Sequence, residues 1–159
     1  MNNTLTKTMV KLAVVATLYV IFSMIIPPLS YGEIQFRFGE ILMLLPFINK
    51  KYSISLVIGC LIVNLFSPLG IVDIIFGTSA TLLACLAIIN LKNIWLVSIV
   101  ATLINAIIVG IELNIVFSLP LFLSMFSVGF GELVVVLIGC LIFNHLIKTN
   151  HRLIELLND

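Results

Sequence analysis

Charged residues interrupt this chain at wide intervals: none lies between Lys92 and Glu112, and none between Glu112 and Glu132. The gaps are filled mainly by Ile, Leu, Val, Phe and Ala, and similar runs cover residues 12–26, 52–66 and 74–89. About 20 apolar residues make a helix long enough to cross the roughly 30 Å hydrocarbon core of a bilayer. Runs of that length without a polar face have no stable place in water. Soluble domains are about 45–50% apolar and about 25% charged, whereas this chain is 62% hydrophobic and 9% charged. Disorder, a DNA-binding domain and an ordinary cytosolic enzyme are excluded. Residues 1–159 read as one transmembrane domain with room for about six or seven helices. No stretch within it is free to form a soluble ATPase. The small net charge of +1 says nothing about partners.

The boundaries come from prolines, glycines and short polar turns. A first helix over residues 6–26, retained and not a cleaved signal, stops at Pro27-Pro28. Residues 29–38, LSYGEIQFRF, alternate polar with apolar and predict a re-entrant or extended loop, strand-like at 34–38. A second segment, 39–48, is too short for a straight crossing unless it borrows residues 35–38, tilts or unwinds. Further helices are expected over 52–66, 72–89 and 94–111, the last ending near Glu112. Pro120 and Gly129 break the apolar stretch that follows. The final helix should begin between Met125 and Gly131 and end near Ile147, before an amphipathic tail. The fold class is an all-α, six-transmembrane-helix bundle with a short second helix. Cys60, Cys85 and Cys140 lie in apolar runs and read as small apolar filler.

Six crossings put Lys7, Lys11, Lys50, Lys51, Lys92, Lys148 and Arg152 on one side and Arg37 alone on the other. The positive-inside rule then makes both termini cytoplasmic. Glu33, Glu40, Asp73, Glu112 and Glu132 fall in the outer half. Glu33 suits a loop, but Glu40 and Glu132 lead into apolar helices. A charge there costs about 2.5–3.5 kcal/mol on insertion scales unless it faces a protein interior. A polar pocket open to the outside accounts for this better than structural caps do. Asn64, Thr78, Thr81 and Asn105 interrupt apolar helices in the same way. An amide pair such as Asn64 with Asn105 would bridge helices, while Asn64 and Thr78 could lie one layer beneath the carboxylates.

The absences are informative too. There is no HExxH, no Gly-x-Ser-x-Gly and no Gly-rich nucleotide loop. Only two aspartates occur, Asp73 and Asp159, and no carbonyl-filter motif is present. No catalytic residue, metal site, cofactor or nucleic-acid partner is expected. A solute-binding or solute-conducting membrane unit is the class that is left. Ala13, Ala16 and Thr17 set small residues at i, i+3 and i+4 on one face of the first helix, a spacing that suits a partner helix.

The runs YGEIQFRFGEILMLLPF at 31–47 and GCLIVNLFSPLGIVDIIFGTSATLLA at 59–84 resemble the queuosine-precursor transporters called QueT. The resemblance is carried by Gln35-Phe36-Arg37 with Glu40, Gly59 with Asn64, Asp73 with Phe76-Gly77-Thr78, Ala80-Thr81, and Gly131-Glu132. It implies the substrate-binding S subunit of an energy-coupling factor (ECF) transporter in the bacterial cytoplasmic membrane. The implied partners are a transmembrane coupling subunit (T) and two ATP-binding cassette ATPases. The implied substrate is a 7-deazaguanine such as preQ1 or preQ0, over which residues 29–38 would close. Members of the family show Ala-x-x-x-Ala on the first helix; this chain departs from that with Ala13 and Thr17.

On that implication the substrate-binding residues are Glu40, Arg37, Gln35, Asn64, Asp73, Thr78, Glu112 and Glu132. Glu40 or Glu132 would accept the paired N–H donors of a guanine-like edge. Asp73 or Glu112 would meet an aminomethyl cation. Arg37 would donate to the ring carbonyl or neutralise Glu33 or Glu40. Tyr31, Phe36 or Phe38 would stack on the ring. Other readings are an S subunit for another vitamin or heterocycle, an ion-coupled secondary transporter, and a non-transport membrane scaffold.

Overall fold

The computed structural model describes residues 3–31 and 35–158. In chain order it has α1 (Asn3–Met24), α2 (Pro27–Ser30), a 3₁₀ segment (Phe38–Leu44), α3 (Leu45–Ile48), α4 (Tyr52–Leu65), α5 (Ile71–Ile88), α6 (Ile94–Phe117), α7 (Leu121–Thr149) and α8 (His151–Asn158). The described residues contain no strand, so residues 35–38 of the strand-like piece expected at 34–38 join none. Ile34 lies outside the described residues, Arg37 is extended, and the 3₁₀ segment begins at Phe38. Four helices are long and apolar enough to cross a membrane: Leu5–Met24, Ile71–Ile88, Ile94–Phe117 and Leu121–Thr149. Phe38–Ile48 and Tyr52–Leu65 are apolar but shorter.

Local chemistry sets the ends. Pro27 sits in the first turn of α2, where its missing N–H costs nothing. The turn before α5 closes through Gly70 N–H to Ser67 O at 3.1 Å, and Gly70 has a φ of +61° that suits glycine. Asn93 caps α6 by accepting from Trp95 N–H at 3.0 Å.

The α6–α7 connection differs from the sequence expectation. α6 runs on past Glu112 to Phe117 and stops where Ser118 enters the left-handed region. α7 starts directly after Pro120 and continues through Gly129. Pro120 therefore initiates a helix and breaks none. Glu112 and Glu132 consequently lie within long apolar helices and not at their ends.

The short second segment is partly unwound. Its 3₁₀ backbone rises faster per residue than an α-helix, about 2.0 Å against about 1.5 Å.

The packing order is cyclic. α1 packs on α4, α4 on α5, α5 on α6 and α6 on α7; the 3₁₀ segment packs on both α7 and α1 and closes the ring. Tyr19, Met43, Leu44, Leu56, Cys60, Val63, Ala84, Ile88, Val97, Ala101 and Val136 are buried inside. Large apolar side chains are exposed outside, among them Met9, Ile21, Ile58, Ile75, Leu86, Leu103, Phe126 and Leu141. An apolar exterior around polar interior residues is the pattern of a lipid-facing bundle.

One end of the ring gathers α8 against the start of α1 and the 49–51 turn. Lys11 Nζ donates to Leu156 O at 2.6 Å, and Asn49 Nδ2 donates to Leu157 O and Asn158 O at 3.3 and 3.1 Å. These donors occupy last-turn carbonyls of α8 that have no helical partner. Asn49→Ala should therefore loosen α8 by about 0.5–1.5 kcal/mol. Hydrogen exchange in detergent is expected to speed up in 151–158 and stay unchanged in α4–α7. Unchanged exchange in α8 would show that Asn49 does not hold it.

Candidate functional site

The ring encloses a polar cluster centred on Arg37. The non-helical stretch 35–37, extended at Arg37, delivers two of its members, Gln35 and Arg37, each 4% exposed. This segment lies directly against α7, because a side chain at Gly131 would collide with the Gln35 backbone. Arg37 Nη2 donates to Asp73 Oδ1 at 2.9 Å in a buried ion pair. Its Nε reaches Ser30 O at 3.4 Å, and its Nη1 lies 3.9 Å from Cys60 Sγ. Asp73 stands in the first turn of α5, where a carboxylate also complements the helix dipole.

Asn64 ties α4 to α5. Its Nδ2 donates to Asp73 O at 3.0 Å and Thr78 Oγ1 at 3.3 Å, and lies 3.4 Å from Cys60 Sγ. The close fit depends on Gly77: a Cβ there would sit 2.7 Å from Asn64 Nδ2 and 2.8 Å from Asp73 Oδ1. Glu40, in the first turn of the 3₁₀ segment, accepts a short hydrogen bond from the Tyr19 hydroxyl of α1. Glu132 Oε1 on α7 accepts from Asn105 Nδ2 on α6 at 2.9 Å. Glu112 is buried on α6, the helix that packs against α5 and α7.

All eight residues singled out for substrate binding thus belong to the ring interior. Gln35, Arg37, Glu40, Asn64, Asp73, Glu112 and Glu132 are buried, and Thr78 is half-buried. Several of their polar atoms have no partner: Gln35 Nε2, Glu40 Oε2, Asn64 Oδ1, Asp73 Oδ2 and both oxygens of Glu112. Buried polar atoms are nearly always paired, and an orphan acceptor costs about 1–3 kcal/mol or more. This cluster leaves several unpaired, and so do the hydroxyls of Ser23, Ser53, Ser55 and Thr102 elsewhere.

The Asn64–Asn105 pairing does not form: Asn64 turns to α5 and Asn105 to Glu132. Arg37 pairs with Asp73 and not with Glu40. Glu33 lies outside the described residues. Cys60 is more than apolar filler, because its sulfur meets Arg37, Asn64 and Thr81 and its thiol points to Gly77 O at 3.6 Å. Tyr19 is a member of the cluster that the apolar pattern of α1 does not single out. The available signal was a single tyrosine deep in an apolar helix, whose hydroxyl must find a partner. Of the expected stacking residues, Tyr31 is pinned by its hydroxyl to Val63 O at 2.7 Å. Phe36 meets Phe130 edge-on, with ring centroids 6.5 Å apart.

On α1, Ala13 and Thr17 are exposed. Ala16 turns inward, its carbonyl oxygen 3.1 Å from where a Gly59 Cβ would be. The open face is therefore Val10, Ala13, Val14, Thr17 and Leu18, without Ala16. No group of three or more His, Cys, Asp or Glu among the described residues is disposed to hold a metal ion.

A family model described as QueT transporter matches residues 9–148. The Queuosine precursor transporter QueT of Lactococcus lactis subsp. cremoris (strain MG1363) is 31% identical over 163 residues, covering 93% of this chain and 96% of that protein. No solved structure matches the chain.

Proposed function

The chain belongs to the QueT transporter family, and from that membership we propose that it is the substrate-capture subunit of an ECF-type importer for queuosine precursors. In this reading it makes six crossings, with residues 35–48 as the unwound second one. Both termini face the cytoplasm of a bacterial cell. A coupling subunit docks on the Ala13–Thr17 face of α1, and two ATPases supply the energy. The chain itself makes and breaks no bonds.

The observation that carries the reading is the set of unpartnered buried acceptors around Arg37. A 7-deazaguanine supplies what they lack. Its ring N–H and amino group are adjacent donors, and its carbonyl can accept from Arg37 or from Gln35 Nε2. The cluster holds four buried carboxylates, Glu40, Asp73, Glu112 and Glu132, against one guanidinium. That imbalance favours a cationic ligand. PreQ1, with its aminomethyl ammonium group, should bind more tightly than neutral preQ0, by about tenfold or more, or ~1.4 kcal/mol.

Calorimetry on the purified chain in detergent tests this. The expected result is sub-micromolar binding of preQ1, weaker binding of preQ0, and little or none of guanine or riboflavin. Folded, monodisperse protein that binds none of them would remove the capture reading. In proteoliposomes the chain alone should not accumulate preQ1. Accumulation driven by a proton gradient, without ATP or partners, would instead make it a secondary transporter that uses its buried carboxylates.

A further inference from the structure

We infer that Glu112 is the residue that reads the paired N–H donors of the ligand, using both oxygens of its carboxylate. This rests on the capture reading above and assigns one role within it.

The four buried carboxylates differ in how much of each the protein already uses. Tyr19 donates to Glu40, Arg37 to Asp73 and Asn105 to Glu132, so one oxygen of each is engaged. Glu112 receives no donor at all: it is fully buried and neither oxygen has a partner. A two-point contact to adjacent N–H groups uses both oxygens of one carboxylate, most fully when neither already accepts a hydrogen bond. Among the four, Glu112 alone keeps both. Glu40 and Glu132, which the family resemblance puts forward for this contact, each have one oxygen that already accepts a hydrogen bond from the protein.

The position agrees. Glu112 projects from α6, which packs between α5, the helix of Asp73, and α7, the helix of Glu132. In this assignment the ring sets its donor edge on Glu112 and its other edge toward Arg37 and Asp73. Arg37 is there to meet a carbonyl, and Asp73 Oδ2 and Glu40 Oε2 remain as single acceptors for an ammonium group. The ligand class selected is a fused 2-amino-4-oxopyrimidine. The same ring system without the 2-amino group lacks one of the two donors.

The test compares preQ1 with its 2-desamino analogue on the full-length protein by calorimetry. Wild-type protein is expected to bind the analogue about 10- to 100-fold more weakly, the worth of one hydrogen bond to a charged group. In Glu112→Gln, preQ1 should weaken by a similar factor and the ratio between the two ligands should collapse to within about threefold. Glu40→Gln should weaken both ligands and keep the ratio. An unchanged ratio in folded Glu112→Gln, with collapse in Glu40→Gln or Glu132→Gln, would overturn the assignment and leave the capture reading standing.

A further arm needs no variant. PreQ1 methylated at its ring N–H should lose at least about tenfold on the wild-type protein. Equal binding of preQ1 and both altered ligands overturns paired-donor readout even if Glu112→Gln does not fold. Failure of the wild type to bind preQ1 itself removes the capture reading, and this inference with it.

Discussion

Arg37→Met is expected to abolish preQ1 binding and to destabilise the fold by about 3–5 kcal/mol, the cost of leaving a buried charge without its partner. Asp73 is fully buried, and Arg37, 4% exposed, lies 2.9 Å from it. Without the guanidinium, the ring interior holds four buried carboxylates and, among the described residues, no buried cation. Arg37→Lys keeps the charge but not the fork that reaches Asp73, Ser30 and Cys60 together. It should fall between methionine and wild type.

The double replacement Arg37→Met with Asp73→Leu separates stability from function. Removing both members of a buried ion pair in favour of apolar groups is often neutral or stabilising. Thermal unfolding in detergent should therefore recover most of what the single variant loses. Ligand binding should not recover, because the guanidinium proposed to meet the ring carbonyl is gone. Two outcomes count against the site: an Arg37→Met protein as stable as wild type, or a double variant that still binds preQ1.

The sequence exposed the members of the cluster but not their pairings. Arg37, Glu40, Asp73, Glu112 and Glu132 were conspicuous because an ionisable group in an apolar run must be paired or functional. Which donor meets which carboxylate depends on how α1, α5, α6 and α7 rotate against one another, and no local pattern encodes that. Tyr19 and the polar contacts of Cys60 are not legible for the opposite reason: an apolar helix accommodates either side chain, so neither stands out. Ala16 shows the limit of spacing arguments. Residues three and four apart share a face, but the inward turn of Tyr19 and the close approach of Gly59 take Ala16 into the ring.

The misplaced α6–α7 boundary has a similar origin. Proline is a breaker inside a helix and an initiator at its start, and a continuous apolar sequence does not say which. The unwound second segment was legible from length alone, since ten residues cannot cross as a straight α-helix. Its 3₁₀ form was not, because that follows from packing against both α1 and α7.

That packing makes Gly131→Ala the most damaging single-methyl change to be expected in α7. The added Cβ would lie 3.0 Å from the Gln35 carbonyl carbon, closer still to its oxygen, and 3.5 Å from its nitrogen. All three are backbone atoms, so no rotamer change relieves the contact and the 35–37 segment must move. Overpacking of this kind costs about 1–3 kcal/mol, and here the displaced backbone carries Gln35 and Arg37, while Glu132 adjoins the substituted position. The strain should appear twice: as a lower unfolding midpoint, and as a loss of preQ1 affinity on the order of 10- to 100-fold. Leu141→Ala supplies the contrast, since Leu141 is on the same helix but 60% exposed on the apolar exterior. It should bind preQ1 as wild type does. If Gly131→Ala keeps full affinity at a lowered midpoint, the 35–37 backbone is a structural strut. If affinity falls further than stability, the placement of that backbone against α7 sets the geometry of the site.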